Sequence, residues 1–340
     1  MSHQRVTLTD IARELGMSPS TVSRALAGNP RISKTTIETV RAAARRLNYR
    51  PNGLAASLRR GSSRLIGVLV PKINRAFFAT VIHAIEEVVG ARGYSLIVVQ
   101  SRDEPGREEA NLRALMRAQV DGIIASLAAD TTDYTAFREV MTRGIPLVLC
   151  DRVTDQLDTA TVVVDDFAGA HAATRHLIEQ GCRYPVHLAG PQHLNIYADR
   201  LAGFRAAVTE AGLPFNPHRQ ILMVRHTGEG GRAAAELLHG RPDPPDGIFS
   251  SSDWAATGAM RYLIERGVRV PEDIAVVGFA NEPFTAYLDP PLSTVEQRSQ
   301  QIGSRAAELL LTALEEGTMP VAERSTVEAS LIVRASSRRR

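Results

Sequence analysis

The sequence predicts two kinds of folding unit in one chain. A small all-α unit built on a helix-turn-helix is followed by a larger α/β unit of two doubly wound halves. Helix-sized apolar stripes with cap residues fill positions 7 to 48, and strand-sized apolar runs alternate with amphipathic stretches from Leu65 onward. The charge is also divided: through Arg64 twelve Lys/Arg oppose three Asp/Glu, a net of +9, whereas the remainder carries −6. At 340 residues the chain exceeds one typical domain.

In the first region, LTDIAREL puts Leu8, Ile11, Ala12 and Leu15 on one face, and Gly16 ends the stripe. Ser18 is a good N-cap and Pro19 suits a first helical turn, so PSTVSRAL reads as a second helix, stopped by Gly28-Asn29-Pro30. Ser33 caps a third, in which Ile37, Val40, Ala44 and Leu47 form a core-facing stripe. On the second helix Val22 and Leu26 point inward, while Pro19, Ser20, Ser23 and Arg24 share the outer face. Arginine can contact guanine O6 and N7 with two donors, and Ser18 and Thr21 could bind phosphate at the helix start. A solvated face of a three-helix bundle would show the same pattern. A basic module on a mildly acidic body points to a polyanion partner for the module alone.

The stretch GLAASLRR, ahead of Gly61-Ser62-Ser63, is too short to hold a helix alone, because nucleation costs more than its few hydrogen bonds return. Beyond it, the strands read as LIGVLV, YSLIVVQ, DGIIAS, PLVLC, TVVVD, PVHLAG, ILMV, GIFSS and IAVVGFA. Continuous apolar strands alternating with amphipathic helices indicate parallel sheets covered on both faces. Nine are many for one such unit, so two halves are expected, with ligand between them at the carboxyl ends of the strands.

Other readings are thin. No apolar run approaches the roughly 20 residues of a membrane span. No leader-like segment opens the chain, so a cytoplasmic location is expected. Cys150 and Cys182 read as reduced core thiols. His171 and His176 are poorly spaced for one metal, and no nucleophile elbow or phosphate loop is present. The glycines of HTGEGG lack the strand and turn of a dinucleotide fingerprint. Neither cofactor nor metal is expected, and an α/β enzyme or sugar-binding protein with an incidental basic arm is the alternative.

The segment from Thr7 to Gly61, with DIA, S-x-x-TVSRAL, NP-R-I-S and Y-x-PN-x-x-A-x-SL, resembles the headpiece of the LacI/GalR repressor family. The likeness continues to about residue 334 through GIPLVLCDR, RLAGF, SSSD-x-x-A-x-GAM and IAVVGF-x-N. It implies a repressor with a DNA-binding domain at 1–50, a hinge helix at 51–64, and a periplasmic-binding-protein-like effector domain at 65–340. One half would span 65–165 and 298–316, the other 166–293 and 325–340. The protein would bind a pseudo-palindromic operator as a homodimer. Ser18, Pro19, Ser20, Thr21, Ser23, Arg24 and Asn29 would meet DNA. Leu58 would wedge into the central base step of the minor groove, with Arg59 near phosphate.

For the effector, taken as a small sugar or sugar acid, the resemblance carries over Phe78, Asp151, Arg200 and Asp253. Two departures stand out. Ala280 occupies the place of a usual aspartate, for which Asn281 is the nearest substitute, and in the loop PKINRAFF, which also holds the candidate Asn74, Lys72 and Arg75 replace the acidic residue and asparagine-proline of many relatives. With Arg152 and His226 added to the candidates, the cleft is expected to be electropositive and its effector anionic.

Overall fold

The computed structural model describes residues 6–49 and 62–339. The hinge stretch, with Leu58 and Arg59, lies outside the described residues. The chain divides into compact units Met1–Ser63 and Arg64–Arg340.

The first unit holds helices α1 (Leu8–Leu15), α2 (Pro19–Leu26) and α3 (Lys34–Arg46). Each begins on a side-chain cap. Thr7 and Asp10 form a reciprocal capping box, while Ser18 and Ser33 accept from the amides of Thr21 and Thr36, both at 3.1 Å. Gly16 ends α1 at φ +64°, where a side chain would be strained. The core between the helices is Ile11, Ala12, Val22, Ala25, Val40, Ala43 and Ala44. Val22 and Ala25 are the fully buried residues of α2, and Leu26, half-buried, packs against the same core.

In the second unit one sheet is wholly parallel and six-stranded. Its strands are β1 (Leu65–Val70), β2 (Ser95–Gln100), β3 (Gly122–Ala125), β4 (Leu147–Cys150), β5 (Ala160–Val164) and β11 (Arg324–Val327), in the order β11-β5-β4-β3-β1-β2. The second sheet is also parallel, ordered β7-β6-β8-β9 from β6 (Pro185–Ala189), β7 (Ile221–Met223), β8 (Gly247–Ser250) and β9 (Ala275–Val277). Strands β10 (Thr294–Glu296) and β12 (Ser330–Ile332) pair antiparallel beside it.

Helices cover both faces, which is why the strands are continuously apolar. Ser299–Glu316 returns to the first sheet, burying Ile302, Ala306 and Leu310 against Ile66, Val68 and Val148. On the second sheet, Asp166–Glu179 and Asn195–Glu210 bury Ala170, Leu177 and Phe204 beside Phe249 and Val277.

One boundary differs from expectation. The segment 325–340, expected whole in the second half, divides: Arg324–Val327 extends the first sheet beside β5, and Ser330–Ile332 pairs with β10. Thr294–Glu296 likewise belongs with the second half and not to a connection. The reason is steric economy. An edge strand that has satisfied β5 can cross in two residues, Glu328 and Ala329, to the partner of β10. The glycines of HTGEGG also do follow a strand and open a helix, Gly228–His239. Their use is close packing, since a Cβ on Gly231 would lie 1.9 Å from the carbonyl oxygen of Ala255.

No helix among the described residues is long and apolar enough to cross a membrane. Both cysteines are free and buried. His171 meets Glu210 on the surface, and His176 is buried against Ser337.

Candidate functional site

Two sites deserve construction from their residues, one in each unit. In the first, α2 presents Pro19, Ser20 and Arg24 to solvent, with Thr21 and Ser23 half-buried. Ser18 is committed as a cap, and its hydroxyl also lies 2.8 Å from that of Ser20 and 2.9 Å from that of Thr21. A helix start with three clustered hydroxyls suits a phosphate oxygen. Asn29 is half-buried and its side-chain oxygen accepts from the Arg31 amide at 2.9 Å, so it builds the turn after α2 and leaves only its amide NH2 for outside contacts.

In the second unit a cavity of about 590 Å³ lies where the two sheets' strand ends face each other. Almost every strand end contributes: Lys72 after β1, Asp103 after β2, Asp151 and Arg152 after β4, His226 after β7, Ser251 after β8, Phe279 after β9. This is the placement that open parallel sheets dictate for ligands.

Asp103 is the residue that reorganises the site, and sequence reading missed it. It accepts from Arg152 Nη1 at 2.5 Å and lies 2.9 Å from Lys72 Nζ. Burial works to raise its carboxyl, but Arg152 and Lys72 overcome that and hold it below the usual range. Arg75 is laid over the Trp254 ring, 5.1 Å from its centroid. The charged lining therefore comprises Lys72, Arg75, Arg152, Arg200 and Arg225 against Asp103, Asp130, Asp151 and Glu282. Local carboxylates thus offset most, but not all, of the cations on which the expectation of an electropositive cleft rests. The signal available in the sequence was position: Asp103 follows YSLIVVQ at the carboxyl end of a strand.

Arg200 is the centre of the far wall. Its Nε donates to Asp166 at 2.7 Å and its Nη1 to the Ser251 carbonyl at 2.9 Å, while the guanidinium lies 3.8 Å from the Phe279 ring centroid. Both Arg200 and Asp166 are buried. Burial raises the Asp166 carboxyl to about 7 in spite of Arg200, and its Oδ2 has no partner among the described residues.

His226 lies at the cavity with Nδ1 2.7 Å from the Tyr197 hydroxyl and Nε2 without a partner among the described residues. Burial, with Arg200 adding to it, depresses this imidazole to about 3, so it is neutral. Asp151, at φ +64°, is buried and accepts from Ser126 at 3.3 Å; burial raises its carboxyl against the pull of Arg152 and Arg200. Its main-chain oxygen takes the Asn195 side-chain amide at 2.9 Å, joining the two halves. Phe78 lines the cavity and also packs into the core of the first sheet.

Three expected positions do not reach the cavity. Asp253 is fully buried behind it and binds Thr294 Oγ1 at 2.6 Å and the Glu282 amide at 2.8 Å, so it braces the start of a helix. Asn281 turns to Glu296 and Arg334, lining a smaller neighbouring pocket of about 380 Å³. Asn74 is exposed and outside the lining. The resemblance placed Asp253, and position beside the missing aspartate or in the first loop placed Asn281 and Asn74, but helix starts and loops point successive side chains in different directions.

With this geometry in hand, known proteins give a consistent match. Residues 7–52 match the model of bacterial regulatory proteins of the lacI family, and residues 174–337 match a periplasmic binding protein-like domain. The ribose operon repressor of Halalkalibacterium halodurans is 33% identical over 332 residues, 98% of this chain and 97% of that protein. Among solved structures, the lac repressor dimer bound to operator and the anti-inducer ONPF is 26% identical with a TM-score of 0.85, covering 98% of this chain and 99% of that one. The complex of the transcriptional regulator CelR with cellobiose is 29% identical with a TM-score of 0.73, covering 98% and 100%. An N-terminal helix-turn-helix, a two-sheet cleft and full-length similarity to such repressors agree on one assignment: the chain belongs to the LacI family of bacterial regulatory proteins.

Proposed function

We propose that the chain is a transcriptional repressor that occupies a pseudo-palindromic operator as a homodimer and is controlled by a neutral sugar bound between the two sheets. The observation that carries the effector class is the Lys72–Asp103–Arg152 cluster, which spends two cations on a protein carboxylate. What remains is a polar, nearly balanced cavity walled by Phe78, Tyr197 and Phe279. Sugar hydroxyls need alternating donors and acceptors, with an aromatic face over the C–H side of the ring. The CelR–cellobiose complex and the ribose operon repressor are consistent with that class.

Effector control requires that the ligand bind one cleft state better than another, and that the two states hold the DNA-binding units differently. Pro19, Ser20, Ser23 and Arg24 are the readers in this proposal, with Leu58 in the minor groove and Arg59 at phosphate completing the contact. The test is selection from random duplexes at moderate salt, followed by sugar titration of the selected duplex. The expected result is a motif with twofold symmetry whose affinity shifts with a neutral sugar and falls steeply with salt. Absence of any symmetric motif would refute the DNA reading. A shift caused only by sugar acids or phosphates would refute the neutral class.

A further inference from the structure

The first sheet and the second touch across the cavity at distinct points. Near the ends of β3 and β4, His193 Nε2 lies 2.6 Å from the Ala129 carbonyl, and Asn195 clasps Asp151 and Val153. Along another part of the rim, Arg75 from the first half rests on Trp254 from the second. We propose that Arg75 and Trp254 are positioning residues that clamp the two halves across the rim of the cavity and so set how long a ligand is retained. The proposal rests on the reading of the cavity as an effector site.

The two partners are held very differently. Trp254 directly follows Asp253, which Thr294 and the Glu282 amide pin in place, and its ring meets Phe284 edge-on at 4.7 Å. The indole is therefore a fixed wall. Arg75 stands at the start of the helix Ala76–Gly90, with an extended backbone and no capping bond from its side chain. Its guanidinium makes no carboxylate pair among the described residues, so the aromatic face is the contact that orients it. A guanidinium within about 6 Å of an indole face is attracted by the ring quadrupole. Both groups line the cavity and both keep some solvent exposure, Trp254 at 40%. Opening the halves must separate them.

Trp254 is the only tryptophan in the chain, so its emission reports this contact directly. Acrylamide quenching of the full-length protein, wild type against Arg75→Gln and Arg75→Lys, tests the clamp. Thermal melts confirm that each variant is folded. Arg75→Gln should raise the quenching constant, and ribose or cellobiose, whichever binds, should leave it about two- to five-fold faster, the ratio expected for an exposed cation–π contact. Arg75→Lys keeps the charge and should fall between. Equal quenching in all three proteins overturns the clamp, as does an unchanged dissociation rate in Arg75→Gln. If neither sugar affects the wild type, the effector class is wrong for those probes, while the quenching comparison still decides the clamp.

Discussion

Asp103 accepts from Arg152 at 2.5 Å across the first half of the cavity, and the same carboxylate meets Lys72 at 2.9 Å. One side chain thereby offsets part of the positive charge that made the sequence look selective for anions. Asp103→Asn should release both cations. Affinity for a sugar acid should rise about tenfold, or ~1.4 kcal/mol, relative to the matching neutral sugar. Calorimetric titration of both ligands into wild type and variant would read the ratio, and an unchanged ratio would show that Asp103 does not set the charge of the site.

Arg200→Ala strips the partner from a buried carboxylate and removes a donor from the Ser251 carbonyl. The expected loss is about 3–5 kcal/mol of stability in the effector domain, read by urea denaturation at pH 8. The loss should shrink at pH 6, since Asp166 already sits near 7 and rises further without Arg200, taking up a proton in place of its lost ion pair.

His187 is fully buried between the rings of Phe204 and Phe249, and burial depresses it to about 3. The unfolded chain binds a proton at this residue below about 6.5 and the folded one does not until about 3, so stability falls as pH falls through that window. His187→Gln should flatten the fall by about 1 kcal/mol per pH unit. Parallel curves for both proteins between pH 6.5 and 4 would contradict the assignment.

Gly190 is required by its neighbours. A Cβ there would come 2.5 Å from His226 Cε1 and 2.6 Å from Tyr197 Cγ. Gly190→Ala should therefore disturb the Tyr197–His226 pair at a cost of about 1–3 kcal/mol, seen as lowered Tm and weaker sugar binding. Operator affinity measured without sugar is the control.

Arg24 projects from α2 into solvent. Arg24→Ala should relax the preference at one base pair per half-site by about 1–3 kcal/mol, which a panel of single-base operator variants would detect. A uniform loss across the panel would mean that Arg24 holds phosphate instead.

The local layer of this architecture was legible because its signals are local. Thr7, Ser18 and Ser33 are caps whose chemistry needs no tertiary partner, and LIGVLV or PLVLC can only be strands buried on both faces. The site was legible in part. Arg152, Arg200, His226 and Phe78 line the cavity as expected. Asp103, Tyr197 and Trp254 were missed, since no spacing links a residue after β2 to one after β4 or to helices in the other half. Asn281 turns away from the cavity for the converse reason, and Asp253 braces its neighbours behind it: sequence locates the backbone at a strand end but not which way each side chain turns.

The division of residues 324–332 between the first sheet and the β10–β12 pair bears on how the protein comes to exist. A ribosome releases β5 long before it makes Arg324–Val327, so the first sheet stands without one edge strand while the whole second sheet is being translated. Neither half can finish folding until the last few dozen residues emerge. A premature stop near residue 320 would leave β5 as an open edge of the first sheet and β10 without its partner, each a place for another chain to join.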